Sequence, residues 1–304
     1  MKVLRVHEYG GALQMEEIDK PTAGPGQVLV RNQATSLNPI DPGRASGVMR
    51  EVFPVEFPWI PGGDISGVVV SVGEGVTQFK VGDEVFGYAM PGGAYAEYVA
   101  VDAGAICIRP AGVTVAQGAA VAMVGQTAMQ ALELAKVGQG QNVLIHAGSG
   151  GVGSLAIQLA HVAGAHVITT ARAEHKDALL KLGADRVIDF TTERFEDAME
   201  LLDAVLDLVG GETLARSYGL IKHGGIIVTA NQPPDEQECE KHGIQGFFVQ
   251  TKVTTEGLQA FADLVVAGKV TPLIAETGTL WDPESIWSKR PRAKAVGKVV
   301  FSVA

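Results

Sequence analysis

Apolar and polar positions in the first part of the chain, up to about residue 120, follow the short and irregular periodicity of β-strands. Segments such as GQVLVRNQATSLN, DISGVVVSVGEGV and GAYAEYVAV alternate or run apolar for a few residues, and Gly, Pro or Asp signals separate them. Such a pattern is typical of a small barrel. We therefore predict an irregular β-barrel for this part of the chain.

From about residue 121 the periodicity changes to that of alternating helices and strands. VAMVGQTAMQALELAKV has helical spacing, and the strand-like runs NVLIHA, HVITTA, RVIDF and AVLDLVG then alternate with helical segments that include FEDAMELL and LARSYGLIKHG. This order predicts a doubly wound parallel sheet. TEGLQAFADLVVAGKVTP predicts one more helix, and GKVVFSV predicts a final strand that returns to the N-terminal barrel.

The length and the change of period together predict two domains. A chain of 304 residues is long for a single core. We place residues 1–120 with 252–304 in the β domain and residues 121–251 in the Rossmann domain. The segment PPDEQECEKH is rich in Pro and Glu, and we predict a short exposed loop there.

A glycine-rich turn gives the clearest chemical signal. Residues 142–160 read NVLIHAGSGGVGSLAIQLA, in which Gly148, Gly150 and Gly153 have G-x-G-x-x-G spacing between an apolar strand and a helical pattern. In such a turn the free N–H groups and the positive dipole end of a helix hold a pyrophosphate. We predict a dinucleotide site here, the alternative being a purely structural glycine turn.

Composition and charge exclude several other classes. The formal net charge is −10, so we expect neither nucleic acid nor an anionic membrane as a partner. The two cysteines, Cys107 in an apolar strand and Cys239 in a charged loop, are too few for a disulfide framework and suit a reducing compartment. The sequence shows neither the apolar core of a signal peptide nor the roughly 20 apolar residues of a membrane span. We predict a cytoplasmic protein.

The strand after the glycine turn indicates the choice of cofactor. HVITTA ends at Ala171, where an NAD-specific domain usually has an Asp or Glu against the ribose 2′-hydroxyl. Arg172 and Lys176 follow instead, and their cations bind a 2′-phosphate that a carboxylate would repel. We predict NADPH. The alternative is a solvated basic helix start, which Glu174 within the cluster favours.

Six motifs spread over nearly the whole chain carry a resemblance to a known family. They are SLNPID at 36–41, PGGDISGVVVSVGEGVTQFKVGDEVFG at 61–87, GGAYAEYV at 92–99, VGQTAMQAL at 124–132, GQNVLIHAGSGGVGSLAIQ at 140–158 and GKVV at 297–300. The chain resembles the medium-chain dehydrogenase/reductase superfamily, in its zinc-free quinone oxidoreductase (zeta-crystallin-like) branch. The resemblance implies an α/β fold in which a GroES-like irregular β-barrel and a Rossmann domain bound the active cleft.

The resemblance also implies which residues hold the cofactor. Thr127 would lie beside the pyrophosphate and the nicotinamide, and an ordinary helix hydroxyl is the alternative. Residues 229–231 and 247–249 would flank the nicotinamide, although core packing is an equal alternative for Phe247 and Phe248. The complete set of predicted cofactor contacts is Thr127, Gly148, Ser149, Gly150, Gly151, Val152, Thr170, Arg172, Lys176, Asn231 and Phe248.

On the substrate side, Asn38 and Asp41 match family positions that line the cleft. The resemblance implies that Asn38 hydrogen-bonds the substrate or the cofactor, and that Asp41 orders water or orients its neighbours. An Asx-type turn around Pro39 is the alternative for both. Gly43 and Met49 stand where many relatives carry tyrosines, so the obvious proton donors are missing and water is left to deliver the proton.

The sequence lacks the metal ligands of the zinc-dependent relatives. These carry a Cys at the position of Asn38 and a His-Glu pair at those of Gly63 and Asp64. We therefore predict no metal site. A site without a Lewis acid suits an acceptor that is already electrophilic, so the expected activity is NADPH-dependent reduction of quinones or α,β-unsaturated carbonyl compounds. The alternative is a non-catalytic NADPH-binding protein with a structural or regulatory role.

The last strand of the predicted Rossmann sheet, around FFVQ, indicates self-association. An uncovered apolar edge strand is an aggregation liability, and members of the family pair this strand across a two-fold axis. The expected partners are thus a small electrophilic substrate and a second copy of the chain in a homodimer.

Overall fold

The computed structural model of the protein describes residues 1–198, 201–288 and 295–303. Its strands, numbered in chain order, are β1 (Lys2–Arg5), β2 (Gln14–Glu17), β3 (Gln27–Ser36), β4 (Asp64–Val72), β5 (Glu84–Tyr88), β6 (Tyr98–Asp102), β7 (Ile106–Ile108), β8 (Asn142–Ile145), β9 (His166–Ala171), β10 (Arg186–Asp189), β11 (Leu202–Asp207), β12 (Ile221–Thr229), β13 (Gln245–Phe248), β14 (Ile274–Thr279) and β15 (Lys298–Ser302). Its α-helices are α1 (Ile40–Ala45), α2 (Val115–Leu134), α3 (Gly151–Val162), α4 (Lys176–Lys181), α5 (Gly211–Ser217), α6 (Glu236–His242), α7 (Thr255–Val266) and α8 (Pro283–Ile286). Within these ranges no helix combines the length and the apolar character needed to cross a membrane.

Six parallel strands form the sheet expected from the second half of the chain, in the order β10-β9-β8-β11-β12-β13. Alternate residues of β8 belong to two different apolar clusters, because helices cover both faces of this strand. Val143 and Ile145 pack with residues of α2 and α3, whereas Leu144 packs with Leu214 of α5. The strand order reverses beside β8, where the carboxyl ends of β8 and β11 leave a crevice for a ligand. The predicted doubly wound sheet is confirmed.

A second, seven-stranded sheet contains most of the N-terminal strands, in the order β14-β15-β3-β4-β5-β7 with β6 also paired to β3. Its interior is an apolar cluster that includes Val30, Ile65, Val85 and Ile106. The last strand, β15, runs antiparallel to β3, with Phe301 opposite Thr35. The predicted return of the chain terminus to the barrel is therefore confirmed.

Helix α2 joins the two sheets. A capping box between Thr114 and Gln117 starts it, and its first turns lie so close to the barrel that a Cβ on Gly118 would come within 2.8 Å of Ser66 Oγ. Further along, Ala128 packs in the same cluster as α3. The boundary that we predicted between residues 120 and 121 thus falls inside one helix that packs on both halves, and the division into domains stays a prediction.

Helix α6 replaces the exposed loop predicted for PPDEQECEKH, and that prediction was wrong. The Asp235 carboxylate accepts from the backbone N–H groups of Gln237 and Glu238, and Gly243, with a φ of 63°, ends the helix. These are ordinary capping signals that the polar composition obscured. Cys239, expected in a charged loop, is buried against the sheet.

Three further boundaries differ from the predicted pattern. LARSYGLIKHG is helical only as far as Ser217, and after a short 3-10 turn β12 begins at Ile221, which pairs with Leu202 of β11. FEDAMELL contributes a 3-10 turn at 195–198, its residues 199–200 lie outside the described ranges, and β11 begins at Leu202. Strand β14 was not predicted. It is held as a strand by its pairing with β15, which comes later in the chain.

Candidate active site

The glycine turn between β8 and α3 depends on close packing at two of its glycines. A Cβ on Gly148 would lie 2.1 Å from Thr169 Oγ1, and one on Gly153 would lie 2.3 Å from Ala147 O. Ala147 itself has a positive φ of 55°, which is uncommon for a residue with a side chain. The turn thus brings the start of α3 directly against the ends of β8 and β9.

The middle of the same turn is open. Gly150 is the N-cap of α3 and has no side-chain cap, and a Cβ there would meet only Ala147 O, at 3.4 Å. A 12-residue helix with an uncapped start presents its first N–H groups and its positive dipole end. The predicted contacts Ser149, Gly151 and Val152 are half-buried around this opening. These residues fit a pyrophosphate.

The predicted 2′-phosphate site lies where β9 ends. Ala171 is buried, whereas Arg172 and Lys176 are both exposed at the start of the next helical segment. The Arg172 guanidinium carbon lies 6.0 Å from the centroid of the Phe190 ring, beyond the end of β10. Two solvent-facing cations at this edge of the sheet fit the phosphate of NADPH.

Thr170 and His146 form a buried support beneath the turn. The His146 ring lies 3.0 Å from both Thr170 Oγ1 and Ser217 Oγ, and Thr170 Oγ1 accepts from Ala147 N at 3.3 Å. Burial lowers the pKa of His146 to about 4, so the ring is neutral at pH 7. The Thr170 hydroxyl, a predicted cofactor contact, is thus already bonded within the protein.

The remaining predicted cofactor residues lie on other elements: Thr127 within α2, Asn231 just after β12 and Phe248 at the end of β13. Thr127 Oγ1 donates to Met123 O at 2.9 Å and lies 2.9 Å from Thr251 Oγ1. The exposed Asn231 donates from Nδ2 to Leu208 O at 2.7 Å, which links the loops after β11 and β12. Phe248 lines an open groove with Glu133 and Leu134 at the C-terminal end of α2.

On the substrate side, the structure places Asn38 in a buried polar network. Asn38 Nδ2 donates to Asp64 Oδ2 at 2.6 Å, and Asn38 Oδ1 accepts from Lys298 Nζ at 2.6 Å. Asp64 also accepts from Ser36 Oγ at 2.5 Å and from the Met123 backbone N–H at 2.9 Å. The network thus joins β3, β4, α2 and β15 at one point.

Asp41 lies beside this network and takes part in the local turn that we considered as the alternative. Its Oδ2 accepts from the Asn38 backbone N–H at 2.9 Å and from Tyr95 Oη at 3.4 Å. Burial raises the pKa of the Asp41 carboxyl to about 7, because desolvation penalises the charged form and the Asn38 N–H offsets this only in part. This carboxyl therefore titrates near neutral pH.

Arg44 fixes the wall next to Asp41. Its guanidinium donates to Pro91 O at 2.5 Å and to Pro54 O at 3.3 Å, and its Cζ lies 4.8 Å from the centroid of the Trp59 ring. The guanidinium therefore holds two loops together.

The network contains residues that the sequence did not single out for this role. Asp64 entered only as the replacement of a zinc ligand and Lys298 only as part of a motif. Tyr95 belongs to the strand-like segment GAYAEYVAV and instead lies buried in a bend. One signal was present for Lys298, since a lysine between Gly297 and a run of apolar strand residues must find buried partners. Among the described residues, no group of three or more His, Cys, Asp or Glu side chains is arranged to hold a metal ion.

The two halves of the site touch each other at the glycine turn. The Gly297 backbone N–H donates to Ser149 O at 3.0 Å, and a Cβ on Gly151 would lie 2.6 Å from Lys298 Cδ. A ligand on the turn therefore lies next to the residue that bonds Asn38.

Comparisons with known proteins agree with this arrangement. The model of the alcohol dehydrogenase GroES-like domain matches residues 24–112, and the zinc-binding dehydrogenase model matches residues 151–260. The chain is 32% identical to the chloroplast envelope quinone oxidoreductase homolog of Arabidopsis thaliana, covering 99% of this chain and 98% of that protein. It is 34% identical to the NADPH-dependent alkenal/one oxidoreductase, chloroplastic, of the same plant, covering 91% and 72%.

A solved structure agrees over the whole chain. The quinone oxidoreductase from Coxiella burnetii superposes with a TM-score of 0.93 at 34% identity, covering 100% of this chain and 99% of that one. The predicted GroES-like and Rossmann combination is confirmed. The chain belongs to the medium-chain dehydrogenase/reductase superfamily, in its quinone oxidoreductase-like branch.

Proposed function

We propose that this protein reduces quinones or α,β-unsaturated carbonyl compounds with NADPH. The observation that carries the proposal is the contact between a cofactor-type glycine turn and the buried Asn38 network, made through Gly297 and Lys298. Relatives named quinone oxidoreductase and NADPH-dependent alkenal/one oxidoreductase support the same chemistry.

The cofactor would lie along the carboxyl edge of the parallel sheet. The N–H groups at the start of α3 would hold its pyrophosphate, and Arg172 with Lys176 would hold the 2′-phosphate. Asn231, just after the carboxyl end of β12, and Thr127 of α2 would contact the nicotinamide half. The steric demands at Gly148 and Gly153 and the open space at Gly150 support this assignment.

When bound, NADPH supplies a hydride, and an acceptor that also takes up a proton from water is thereby reduced while NADP⁺ forms. The chain's own contribution is orientation and polarisation. Asn38 offers a hydrogen bond to the acceptor oxygen, where negative charge develops. Asp41 holds the Asn38 backbone N–H, and the Arg44 contacts with Pro54 and Pro91 keep the surrounding loops in place.

An acceptor panel tests this function. NADPH consumption is followed with a 1,4-quinone, a 2-alkenal and a simple ketone, and NADP⁺ reduction with an aliphatic alcohol, each with and without a strong chelator. We expect turnover of at least one activated acceptor that the chelator leaves unchanged, and no reaction with the ketone or the alcohol. Chelator-sensitive alcohol oxidation would contradict the proposal, and inertness with intact NADPH binding would favour the non-catalytic alternative.

We further propose that the protein is a homodimer in which β13 pairs with its copy. Strand β13 ends the six-stranded sheet, and an open groove of about 550 Å³ lies beside it, lined in part by Phe247, Phe248 and Gln130. An edge strand of this kind is ready to pair with another strand. The second copy of this chain offers the same edge, as a two-fold contact requires.

Light scattering at micromolar concentration tests the dimer, with a monomeric mass as the contradicting result. The Val249 N–H already donates to Thr229 O at 2.9 Å inside the sheet, so backbone alternation directs the Phe248 N–H outward. Phe248→Pro should therefore give folded monomers. Val249→Pro removes an internal bond and should destabilise the fold, which makes it the matched contrast.

For its location we propose the cytoplasm. Cys107 and Cys239 are both free and buried, which suits a reducing compartment. Neither nucleic acid nor a membrane surface is part of the proposal. The chloroplast location in the names of some relatives is a property of those proteins.

A further inference from the structure

Lys298 is a buried cation at the centre of the site, and the proposed reaction has no assigned use for it. The residue is 6% exposed. Its Nζ donates to Leu37 O and to Asn38 Oδ1, both at 2.6 Å, and lies 3.7 Å from Asp64 Oδ2. An ammonium group in a protein interior persists only with such partners. Two of its three N–H donors are therefore hydrogen-bonded to protein oxygens, and the Asp64 carboxylate provides the countercharge.

Asn38 has a fixed orientation because its two neighbours carry opposite charges. An amide has one acceptor oxygen and two N–H donors. The oxygen faces the Lys298 ammonium, and one N–H faces the Asp64 carboxylate. A flipped amide would set N–H against the ammonium and oxygen against the carboxylate, so both contacts would become repulsive.

In this orientation, the group of Asn38 that remains available to a ligand is its second N–H. An amide free to rotate could bind either a donor or an acceptor. The oxygen of Asn38 is already engaged by the Lys298 ammonium, so the amide offers a ligand its N–H. The partner that suits it is a lone pair that gains negative charge, such as the oxygen of an enolate or of a hydroquinone anion.

Asp64 is itself held in place, so the orientation does not depend on Lys298 alone. Its Oδ1 accepts from the Met123 N–H of α2, and its Oδ2 accepts from the Ser36 hydroxyl of β3 as well as from Asn38. The Lys298 stem is also confined, because it packs against Gly151 at the glycine turn. Both neighbours of the amide are therefore rigid.

We propose that Lys298 and Asp64 are positioning residues that fix Asn38 as a dedicated donor to the carbonyl oxygen of the acceptor. The inference rests on the proposed reductase function and narrows it. Substrates must present an oxygen conjugated to the reacting carbon, and an activated alkene without such an oxygen is a poor substrate. Lys298 acts through Asn38 and does not touch the substrate.

The test is a double-mutant cycle between Lys298 and Asn38. Lys298→Met keeps the apolar stem that packs on Gly151 and removes the ammonium. Asn38→Leu keeps the approximate volume and removes the amide. Lys269→Met, on the exposed turn after α7, removes the same charge away from the site and is the matched control. For each protein we measure kcat with a 2-alkenal and a 1,4-quinone, the NADPH dissociation constant and the thermal unfolding midpoint.

We expect Lys298→Met to lower kcat roughly tenfold or more, since loss of an aligned donor costs this much or more in comparable sites. The NADPH dissociation constant should stay within about twofold. In the Asn38→Leu background, Lys298→Met should have no further effect on kcat, because the residue that it positions is gone. Lys269→Met should match the wild type in every measurement.

Two results would overturn the inference: a Lys298→Met enzyme with wild-type kcat, or the same fold loss in both backgrounds. Should Lys298→Met fail to fold, Asp64→Asn provides the second variant. The neutral amide of this variant can hydrogen-bond either orientation of Asn38. We therefore expect kcat to fall while NADPH affinity stays intact. An unchanged kcat would refute the inference. Inertness of the wild type towards both acceptors is a different outcome, since it removes the proposed function itself and the inference with it.

Discussion

The two halves of the site are assembled from the chain in different ways. In the cofactor half, the proposed pyrophosphate site is a single stretch of sequence, in which Gly148, Gly150 and Gly153 shape one turn between a strand and a helix. The substrate half gathers side chains from β3, β4, α2 and β15, and its central bond joins Asn38 to Lys298, 260 positions apart. The pyrophosphate site binds through backbone N–H groups, whereas the substrate half depends on buried, charged side chains.

This difference explains why affinity and reactivity should respond to different substitutions. Backbone N–H groups at a helix start depend on whether the turn can form, so added volume there damages cofactor binding. The Asn38 network depends on which charge meets which end of an amide, so isosteric changes of charge should alter turnover and leave cofactor binding unchanged.

The largest effect is expected at the glycine turn. Gly153→Ala would place a Cβ 2.3 Å from Ala147 O, a backbone atom that cannot rotate away. We expect loss of measurable NADPH binding together with a stability loss of about 1–3 kcal/mol, as for other overpacked sites. Fluorescence titration with NADPH and thermal unfolding measure the two effects. Gly138→Ala is the control, because a Cβ there has no atom within 4 Å. Equal NADPH binding and stability in the two variants would contradict this prediction.

A smaller effect is expected where side chains assist the cofactor half. Converting Arg172 and Lys176 to Ala should weaken NADPH binding by roughly tenfold for each cation and leave NADH binding unchanged. Both groups are exposed, so the effect should shrink as salt is added. Lys181→Ala, at the exposed end of α4, is the matched control. A wild-type protein that binds NADPH and NADH equally would refute the 2′-phosphate site.

The last effect concerns Asp41 and is confined to the pH dependence of stability. Its pKa is about 7 in the folded protein against 3.8 for an ordinary aspartate, so between about pH 4 and pH 7 the folded state binds the extra proton. Stability from this group is therefore present at low pH and is lost as pH rises through 7. Asp41→Asn should remove that loss and be more stable than the wild type at pH 8, by a few kcal/mol at most.

Denaturant unfolding at pH 5, 6, 7 and 8 measures this prediction as the difference between the wild type and Asp41→Asn. Taking the difference cancels the contribution of His146, whose pKa is lowered by burial from 6.5 to about 4 in the folded state of both proteins. A difference that does not change with pH would show that Asp41 is ionised in the folded protein throughout this range.

Local signals in the sequence predicted most of the fold. Apolar periodicity identified the parallel sheet, and the final GKVVFSV strand was correctly returned to the barrel. The errors lie where a local signal competed with composition or with distant pairing. Polar residues concealed the capped helix α6, and β14 depends on its pairing with β15 rather than on a pattern of its own.

In the site too, local sequence signals predicted some residues, and others become apparent only from contacts in the folded chain. The glycine turn and the cations after β9 could be predicted because their chemistry depends on sequence spacing. The resemblance to a family supplied Asn38 and Asp41 as cleft residues. The sequence did not identify Asp64 and Tyr95 as site residues, and it marked Lys298 only as a lysine that needs buried partners. Their contacts form only in the folded chain, where Asp64 and Lys298 meet at Asn38 and Tyr95 reaches Asp41.

The most direct test of the account follows the hydride itself. Turnover is run with NADPH carrying deuterium at both C4 positions, using a 2-alkenal and a 1,4-quinone in the presence of a chelator, and the products are analysed by mass spectrometry and NMR. We expect one NADPH to be consumed per saturated aldehyde or hydroquinone formed, with deuterium at the β-carbon of the aldehyde. Deuterium on the carbonyl carbon of an alcohol product, or no turnover of either acceptor, would contradict this expectation.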